Sequence, residues 1–357
     1  APDVADCAAR VQRIVDAERD ADVTVVLSHL GTELDEALVP LTAGVDVLLG
    51  GHTHDVLAPP RAVADCGPGL AARRGCRPHP VLVVHSGAYG RYVGRVTLTV
   101  ASDGAAPTSV MAGRRSDVVG SRAALLPVTD AIEEHPGVLA LLEPYRRALS
   151  AAGLDRPIAV VPHAVSRAAE RGGDSALGDL VTRTMRAATG ADLAVINSTG
   201  IRDDLPAGEL TVEDVFRVLP FDDRLVTVSV SGDSLLDVVE QIRSDSCGRG
   251  RASQAQLDGG TLLLACDGRG SAELRVGGKP VVTAGTYRVA IVSFLADAGQ
   301  WFQGAASDGG TDDAGLVRDA FLDAVRRLPP CAGDGGYALP CISGAAGAER
   351  DGRIAWR

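Results

Sequence analysis

Three histidines in the first part of the chain have the residue type and spacing of metal ligands. His52 and His54 stand one residue apart in "LLGGHTHDV" (48–56), and His29 lies upstream in "VVLSHLG". On an extended segment residues i and i+2 point to the same face, so His52 and His54 converge if the chain stays extended through Thr53. Three neutral imidazoles suit Zn, Mn or Fe better than Ca or Mg. The alternative is a set of exposed or structural histidines, which is what we expect of His85 and His135.

Two predicted strands position these histidines. "VTVVLSHL" (23–30) and "VDVLLGG" (45–51) are short β-branched runs that end in polar or glycine residues, which is typical of buried strands. A helical or loop segment separates them, and the order strand, crossover, strand predicts an α/β layer. Ligands gather beyond the carboxyl ends of strands in such sheets. Gly50 and Gly51 allow a tight turn after the second strand.

The α/β pattern continues along the chain. Segments 81–90 and 91–100 are predicted to be two strands, antiparallel because little separates them. A helix is predicted over 174–190, capped by Asp174 or Ser175 and ended by Gly190. Further elements are a connecting helix (140–153), a buried strand (191–196), a helix (211–220) with Thr211 as its cap, an apolar stripe of Leu235, Val238, Val239 and Ile242, and late strands in "PVVTAG" and "TYRVAIVSFL".

Composition excludes two classes of partner. The net charge is −11 and no long run of Lys or Arg occurs, which argues against binding to a nucleic-acid polymer or to anionic lipid. No apolar stretch reaches the roughly 20 residues needed to span a bilayer. A few local arginines can still bind a small anion. The length of 357 residues predicts two or three domains, and the oligomeric state stays open.

Six of the seven cysteines form three local pairs across glycine-rich segments, and Cys7 is left over. The pairs are Cys66 with Cys76, Cys247 with Cys266, and Cys331 with Cys341. This arithmetic favours disulfides and an oxidising compartment, with reduced cytoplasmic thiols as the alternative.

Arginines offer a place for an anionic substrate. Arg167 and Arg171 are four residues apart and share one face if their segment is helical. Arg202 is the last residue of the motif "NSTGIR". The planar donor fork of Arg suits phosphate or carboxylate. Most of the Lys and Arg residues of any such chain are simply solvated surface, so spacing alone does not assign them a role.

Several motifs carry a resemblance to a known family. "VVLSHLG", "VDVLLGGHTH" and "VVHSGAYGRYVGRVTL" resemble the second half of a calcineurin-like metallophosphoesterase domain, of the kind found in the 5'-nucleotidase and UDP-sugar hydrolase family. "RAAERGGDSALGDLVTRTM", the stretch from "ADLAVINSTG" to "SLLDVVE" and "TYRVAIVSFLADAG" resemble that family's C-terminal nucleotide-binding domain. The matches keep their order and cover most of residues 20–302.

The resemblance implies a fold and a reaction. The expected fold class is α/β, with a partial metallophosphoesterase sandwich followed by a separate nucleotide-binding α/β domain. The implied domains are 1–115, a linker with a connecting helix over 116–154, and 155–357. His29 and His52 are expected to bind one of two divalent ions (Zn, Mn or similar), and His54 the other. Such a pair clamps phosphate oxygens and activates water for hydrolysis of a nucleotide phosphate ester. Cyclic-nucleotide (2',3') phosphodiesterase or nucleotide-sugar pyrophosphatase activity is the alternative.

The family's upstream motifs do not occur in this chain. They are Asp-x-His, Gly-Asp-x-x-Asp and Gly-Asn-His-Asp/Glu, and they supply the other metal ligands and the catalytic histidine. Asn197 is the only asparagine of the sequence, and Ser198 follows it. No catalytic residue can therefore be identified. The expectation is a truncated metallophosphoesterase that is inactive alone, or else a non-catalytic nucleotide-binding module. Family and cysteines together predict an extracytoplasmic protein.

The resemblance also implies a substrate site for a nucleotide or nucleoside. Phe221 and Phe294 match two rings that sandwich a nucleobase, with burial in the core as the alternative. The other matching positions are Arg167, Arg171, Asn197, Gly200, Arg202 and Gln300. The family usually reads Gly-Gly-Asp-Gly where this chain reads "DAGQWF", so Gln300 takes the place of a ribose-binding Asp and Trp301 that of a glycine.

Overall fold

The computed structural model describes residues 3–18, 21–102, 116–169, 172–248, 252–266, 272–297, 300–307, 314–331, 339–343 and 349–357. Two compact units divide the chain, Ala1–Pro136 and Gly137–Arg357. The linker predicted between 116 and 154 and the domain bounds around it stay predictions. Within the described ranges, no helix combines the length and apolar content needed to cross a bilayer.

The first unit is built on a four-stranded sheet and a separate hairpin. Its elements are α1 (Val4–Ala17), β1 (Val25–Leu27), α2 (Thr32–Leu38), β2 (Val47–Gly50), β3 (Arg61–Ala64), α3 (Pro68–Arg74), β4 (Pro80–His85), β5 (Tyr92–Ser102) and β6 (Ser116–Pro127). The sheet order is β1-β2-β4-β3, with β1, β2 and β4 parallel and β3 antiparallel to β4. Apolar residues of α1, β2 and β4 form the core of this sheet, among them Ala8, Leu48 and Val83.

One predicted strand pairing is wrong. Residues 81–90 and 91–100 do contain strands, β4 and β5, but β4 lies between β2 and β3 in the sheet. β5 pairs instead with β6 in an antiparallel hairpin, with a register shift between Thr99 and Val100. Short separation along the chain favours a hairpin only when the first strand has a free edge, and β4 has none.

The described residues of the second unit form three sheets. Its elements are α4 (Pro136–Ala151), β7 (Pro157–Val161), α5 (Ala176–Thr189), β8 (Leu193–Asn197), β9 (Gly208–Thr211), α6 (Val212–Val218), β10 (Leu225–Ser231), α7 (Gly232–Gly248), β11 (Ala255–Asp258), β12 (Gly260–Leu264), β13 (Glu273–Val276), β14 (Lys279–Pro280), β15 (Thr286–Val292), β16 (Ala306–Ser307), α8 (Val317–Arg326) and β17 (Ile354–Trp356). The largest sheet has the order β11-β8-β15-β10-β16, and a second has the order β14-β13-β12-β17.

Local signals explain the helix ends of the second unit. Ser175 caps α5 by accepting the Gly178 N–H, and Gly190 ends the helix in the left-handed region, both as predicted. Thr211 caps α6 in a capping box with Asp214. The predicted apolar stripe of α7 is buried in the core of the unit, with β8 and β15 at its centre.

Three disulfides join the cysteine pairs predicted from the sequence. The structure contains Cys66–Cys76, Cys247–Cys266 and Cys331–Cys341. Cys7 is the free cysteine, and it is half-buried in α1. The pairing is therefore confirmed.

Candidate functional site

The histidines of the first unit follow two adjacent parallel strands, as predicted. β1 and β2 pair in parallel register, with Leu27 opposite Leu49. His29 comes two residues after β1, and His52 comes two residues after β2. The sheet therefore brings these two side chains to the same edge, where the ring centroids of His29 and His52 lie 5.2 Å apart.

The chain is not extended on either side of Thr53, which was the condition for His52 and His54 to point to one face. His52 has a φ of 83° and His54 a φ of 63°, both in the left-handed region. His52 lies edge-on against His29, whereas His54 lies edge-on against Tyr89, with centroids again 5.2 Å apart. His52 is thus grouped with His29, and His54 stands beside a different neighbour.

A buried pair beneath this turn joins α2 to β4. Asp35 Oδ2 and His85 Nε2 are 2.9 Å apart, and both side chains are buried. Ser28, the residue before His29, donates its hydroxyl to the other oxygen of Asp35. His85 is therefore a structural histidine, as expected, and its partner Asp35 is tied to the segment that carries His29.

Hydrogen bonds continue from this pair to the turn itself. The Thr32 hydroxyl lies 3.5 Å from His85 Nδ1 and donates to Asp55 Oδ2 at 2.5 Å. Thr53 donates to the same carboxylate oxygen at 2.7 Å. The Thr32 hydrogen bond lowers the pKa of Asp55, with partial burial opposing it and Thr53 adding to it. The network connects the residues on either side of His54 to the buried pair.

Glycine at position 50 provides space rather than a special turn. Gly50 belongs to β2, and a β-carbon there would overlap His85 Nε2 and Asp35 Oδ2. A β-carbon at Gly51 would come within 3.2 Å of His29 Nδ1. Neither glycine is among those with positive φ. The tight turn expected of the glycines is made by the histidines instead.

The donors of the first unit fit a metal in part. His29 and His52 present two imidazoles side by side, which matches the type of ligand that Zn or Mn takes. Among the described residues, however, the trio of His, Cys, Asp or Glu ligand atoms lying within 4.8 Å of one another is Asp174, Asp179 and Asp351 of the second unit. The histidines alone therefore do not form a three-ligand group.

The aspartate trio is an ion-pair cluster around Arg353. Arg353 contacts Asp351 at 2.6 Å, Asp258 at 2.8 Å and Asp179 at 3.8 Å. Asp174 accepts the backbone N–H groups of Gly352 and Arg353 at 2.9 and 3.1 Å. These partners explain the cluster without a bound cation.

The second candidate region lies at one edge of the five-stranded sheet. β8 and β15 are parallel neighbours, so Asn197 and Phe294 stand at or just beyond their carboxyl ends. β10 runs antiparallel to β15, with Leu225 opposite Val292, and so Phe221 precedes β10 at the same edge. Three segments predicted to bind substrate therefore converge, as expected for a ligand site on an α/β sheet.

Both predicted stacking rings are accessible. Phe221 is 49% exposed and Phe294 is 42% exposed, whereas the neighbouring Phe302 is 2% exposed. Burial of the two rings in the core, the alternative considered for them, is therefore wrong. Phe221 lines a shallow surface hollow together with Gly200 and Asp223.

Asp223 connects the two phenylalanine segments. Its carboxyl group accepts the backbone N–H of Phe294. Burial raises the pKa of Asp223, the N–H of Phe294 opposes this, and the nearby Asp297 and Asp222 carboxylates add to it. Asp223 is not among the residues predicted from the sequence to bind substrate, although it lies two residues after Phe221.

Arginines and an amide surround the same edge. Arg202 Cζ lies 5.9 Å from the centroid of the Phe221 ring, and its Nη1 donates to the Thr199 carbonyl at 3.1 Å. Arg167 donates to the Ile201 carbonyl at 3.2 Å. Arg167 and Arg202 are thus both bound to the 199–201 segment, which follows Asn197 directly.

Arg167 does not lie in a helix. Residues 166–169 have no regular secondary structure, and Arg171 lies outside the described residues. A Ser166 hydroxyl and an Arg167 N–H instead bind the Asp204 carboxylate, at 3.2 and 2.6 Å.

Trp301 is attached to α7. Its Nε1 donates to Asp245 Oδ2 at 3.0 Å, and the next residue, Phe302, is buried. Gln300 is half-buried beside it. The segment that departs from the family pattern is therefore anchored to the core of its own unit.

Comparison with known proteins gives one family and several relatives. Residues 157–307 match the family described as 5'-nucleotidase, C-terminal domain. The trifunctional nucleotide phosphoesterase protein YfkN of Bacillus subtilis is 24% identical over 340 residues, which cover 91% of this chain and 22% of that protein. A 5'-nucleotidase of Vibrio cholerae is 27% identical over 305 residues, covering 80% of this chain and 51% of that protein.

A solved structure has the same fold. The 5'-nucleotidase precursor from Thermus thermophilus superimposes with a TM-score of 0.75 at 23% identity, covering 99% of this chain and 68% of that one. The chain spans about half, or less, of the length of the two curated relatives. The predicted α/β fold class is confirmed.

Proposed function

We propose that the chain belongs to the 5'-nucleotidase and UDP-sugar hydrolase family, that it binds a nucleotide at the edge of the five-stranded sheet and that it takes part in hydrolysis of its phosphate ester. The observation that carries the proposal is the pair of half-exposed rings, Phe221 and Phe294, at an edge that also holds two arginines. Stacking on such rings tolerates different bases, because every base has a π face.

Each residue of the edge has a role in this proposal. Phe221 and Phe294 hold the base, Asn197 contacts base or ribose, and Gly200 leaves room beside them. Arg202, with Arg167 and Arg171, binds the anionic part of the substrate, since a guanidinium donates two parallel hydrogen bonds to phosphate. Gln300 would contact the ribose hydroxyls through its neutral amide.

The histidine edge of the first unit supplies the hydrolytic part. His29 and His52 would hold one divalent ion (Zn, Mn or similar) and His54 a second, and such ions supply Lewis-acid activation of water when bound. The buried Asp35–His85 pair and the threonines above it orient the segments that carry these histidines. Relatives that act on nucleotide phosphoesters support this part of the proposal.

We expect the 357-residue chain alone to hydrolyse poorly. Three histidines give each of two ions too few protein ligands, and the described residues contain no histidine-based trio of close donors. The measurement is release of phosphate from AMP, of a nucleoside monophosphate from a 2',3'-cyclic nucleotide, and of a nucleoside monophosphate and a sugar phosphate from a nucleotide sugar, each with added Mn²⁺ or Zn²⁺. Robust release from any of them would contradict this expectation and would identify the substrate class.

Nucleoside binding is the direct test of the sheet-edge site. Calorimetry should show binding of adenosine to the chain, and Phe294→Ala should abolish the signal, because base–aromatic stacking contributes about 1–3 kcal/mol per base. Tyr145→Ala is the matched control, since Tyr145 is an aromatic residue of α4 that is 69% exposed. Equal affinity of Phe294→Ala and the unaltered chain would rule out the stacking role.

A second candidate function is nucleotide binding without hydrolysis. The lack of a histidine-based trio of close metal-ligand atoms among the described residues favours it. Adenosine binding without phosphate release, at any metal concentration that leaves the protein folded, is the result expected of such a module.

An extracytoplasmic location completes the proposal. Three disulfides form and persist in an oxidising compartment, whereas cytosolic proteins rarely keep them. Thiol titration of the unfolded, unreduced protein should detect Cys7 and no other cysteine.

A further inference from the structure

A buried arginine, Arg318, donates hydrogen bonds to the segment that carries Phe221. Arg318 lies in the first turn of α8, and its side chain is only 5% exposed. Its guanidinium carbon lies 3.9 Å from the centroid of the Phe216 ring. A positive charge is unfavourable at the amino-terminal end of a helix, where the backbone already carries partial positive charge. The position therefore needs acceptors from outside the helix.

The acceptors all come from one short segment. Arg318 Nη1 donates to the carbonyls of Leu219 and Phe221 at 3.0 and 3.3 Å, and Nη2 donates to Asp222 Oδ1 at 2.7 Å. The two Nη atoms make all three of these bonds. The third guanidinium nitrogen, Nε, is buried and has no hydrogen-bond partner among the described residues. One side chain thus binds three successive points of the segment between Leu219 and Asp222.

That segment has no regular structure of its own. Residues 219–223 connect the end of α6 to the start of β10 and form neither helix nor strand. Buried backbone carbonyls need partners, and here the arginine provides them. Without Arg318, the carbonyls of Leu219 and Phe221 would lose these donors.

The same segment is joined to the second ring. Asp223 accepts the Phe294 N–H through its carboxyl group, and its carbonyl accepts the Val317 N–H at 3.0 Å. Arg318, Val317 and Asp223 therefore connect the start of α8 to both phenylalanine segments. The accessible ring of Phe221 is held through its backbone, which leaves the ring face open to a ligand.

We propose that Arg318 is a positioning residue of the nucleoside site, which holds the 219–222 segment so that the Phe221 ring stands where a base can stack on it. The inference rests on the nucleoside site proposed above. Arg318 also lines the hollow beside Phe221, but its two Nη atoms bind protein groups, and the role assigned to it is exerted through Phe221.

A double-mutant cycle on adenosine binding tests this role. Arg318→Lys keeps the charge but loses the planar fork, and one ammonium group cannot reproduce the three hydrogen bonds. We expect Arg318→Lys to weaken adenosine binding about tenfold, within the range that stacking contributes. In a Phe221→Leu background the same change should cost less than about twofold, because coupled residues are not additive.

Two results would overturn the proposal. One is an adenosine affinity of Arg318→Lys equal to that of the unaltered chain. The other is an equal loss in both backgrounds, which would mean that Arg318 acts independently of the ring. Arg326→Lys is the matched control, since Arg326 lies on the same helix, is 55% exposed and pairs with Asp323. It should leave the affinity unchanged.

Hydrogen exchange separates this proposal from the nucleoside site itself. Arg318→Lys should speed amide exchange at residues 221–225 in the absence of ligand, measured below the unfolding transition of each variant. A chain that binds no adenosine would refute the proposed function, and exchange would then decide whether Arg318 holds the segment. Unchanged exchange in Arg318→Lys would refute the positioning role whatever the affinity.

Discussion

Replacement of Asp179 by asparagine should change how the stability of the second unit depends on pH. Asp179 lies in the first turn of α5 and is fully buried. Its Oδ2 accepts the Asp351 N–H at 3.2 Å, whereas Oδ1 has no hydrogen-bond donor among the described residues. Burial raises the pKa of Asp179 to about 8, with Arg353 opposing the rise and Asp174 adding to it.

The pKa of the neighbouring carboxyl group, that of Asp174, is shifted in the opposite direction. Burial disfavours the charge of Asp174, but hydrogen bonds from Arg350, from Asp179 and from the Arg353 backbone outweigh it and lower the pKa of Asp174. The proton of this close pair therefore resides on Asp179, and Asp174 stays ionised.

The sign and size of the effect follow from proton linkage. Between roughly pH 4 and about 8 the folded chain keeps the Asp179 proton, whereas the unfolded chain has released it. The folded state then binds more protons, so the free energy of unfolding falls as pH rises, by about 1.4 kcal/mol per pH unit. The stabilisation that comes from the bound proton has its full value below roughly pH 4. It decreases as the pH rises and is lost once the pH has passed the folded-state pKa of about 8. From pH 5 to pH 7 the loss is about 3 kcal/mol.

The amide side chain introduced by Asp179→Asn cannot ionise, so this slope should disappear in the variant. The assay is urea unfolding at pH 5, 6 and 7, followed by tryptophan fluorescence, because Trp301 and Trp356 both lie in the second unit. The difference in unfolding free energy between the variant and the unaltered chain should shift by about 3 kcal/mol in favour of the variant across this range.

The control for this experiment is Asp323→Asn, which changes a 56% exposed carboxylate of α8. Its stability curve should run parallel to that of the unaltered chain. A parallel curve for Asp179→Asn as well would refute the reasoning, since it would show that the buried carboxyl group is already ionised at neutral pH.

Three further predictions concern single substitutions. Gly50→Ala should lower the unfolding temperature in calorimetry, because its methyl group overlaps His85 and Asp35 and overpacking costs about 1–3 kcal/mol; an unchanged transition would contradict the packing described here. Gln300→Asp should tighten adenosine binding in calorimetry if the segment contacts ribose, and no change would count against that alignment. Thr211→Ala should cost about 1 kcal/mol in urea unfolding by removing the cap of α6, and a loss near zero would mean that the capping box does not stabilise the helix.

Local signals were sufficient for much of the second unit. The cap at Ser175 and the left-handed Gly190 bound α5, and both depend on residues adjacent in sequence. The buried strand β8 follows directly, so Asn197 and the segment after it reach the sheet edge as predicted. The accessible rings of Phe221 and Phe294 agree with the resemblance, and not with core packing.

Other features depend on contacts between distant residues. Asp35 and His85 are separated by 50 positions, and the residues around either of them do not predict that the two side chains form a pair. Arg318 lies 97 positions from Phe221, in a segment whose pattern indicates only an amphipathic helix. The chain turns at His52 and His54, and the hydrogen bonds of Thr53 and Asp55 in this turn run to Thr32, at least 21 positions away.

The parallel pairing of β17 with β12 also bears on the order in which the second unit folds. Gly352 donates to Asp174 across 178 positions, and β17 completes a sheet whose other strands are local neighbours. Contacts of such long range carry a large loop-closure entropy, so they form after the hairpins and helices around them. An interaction that forms late contributes little to the rate of folding and mainly slows unfolding. The ion pairs of Arg353 are therefore expected to lower the unfolding rate of the second unit and to leave its folding rate almost unchanged.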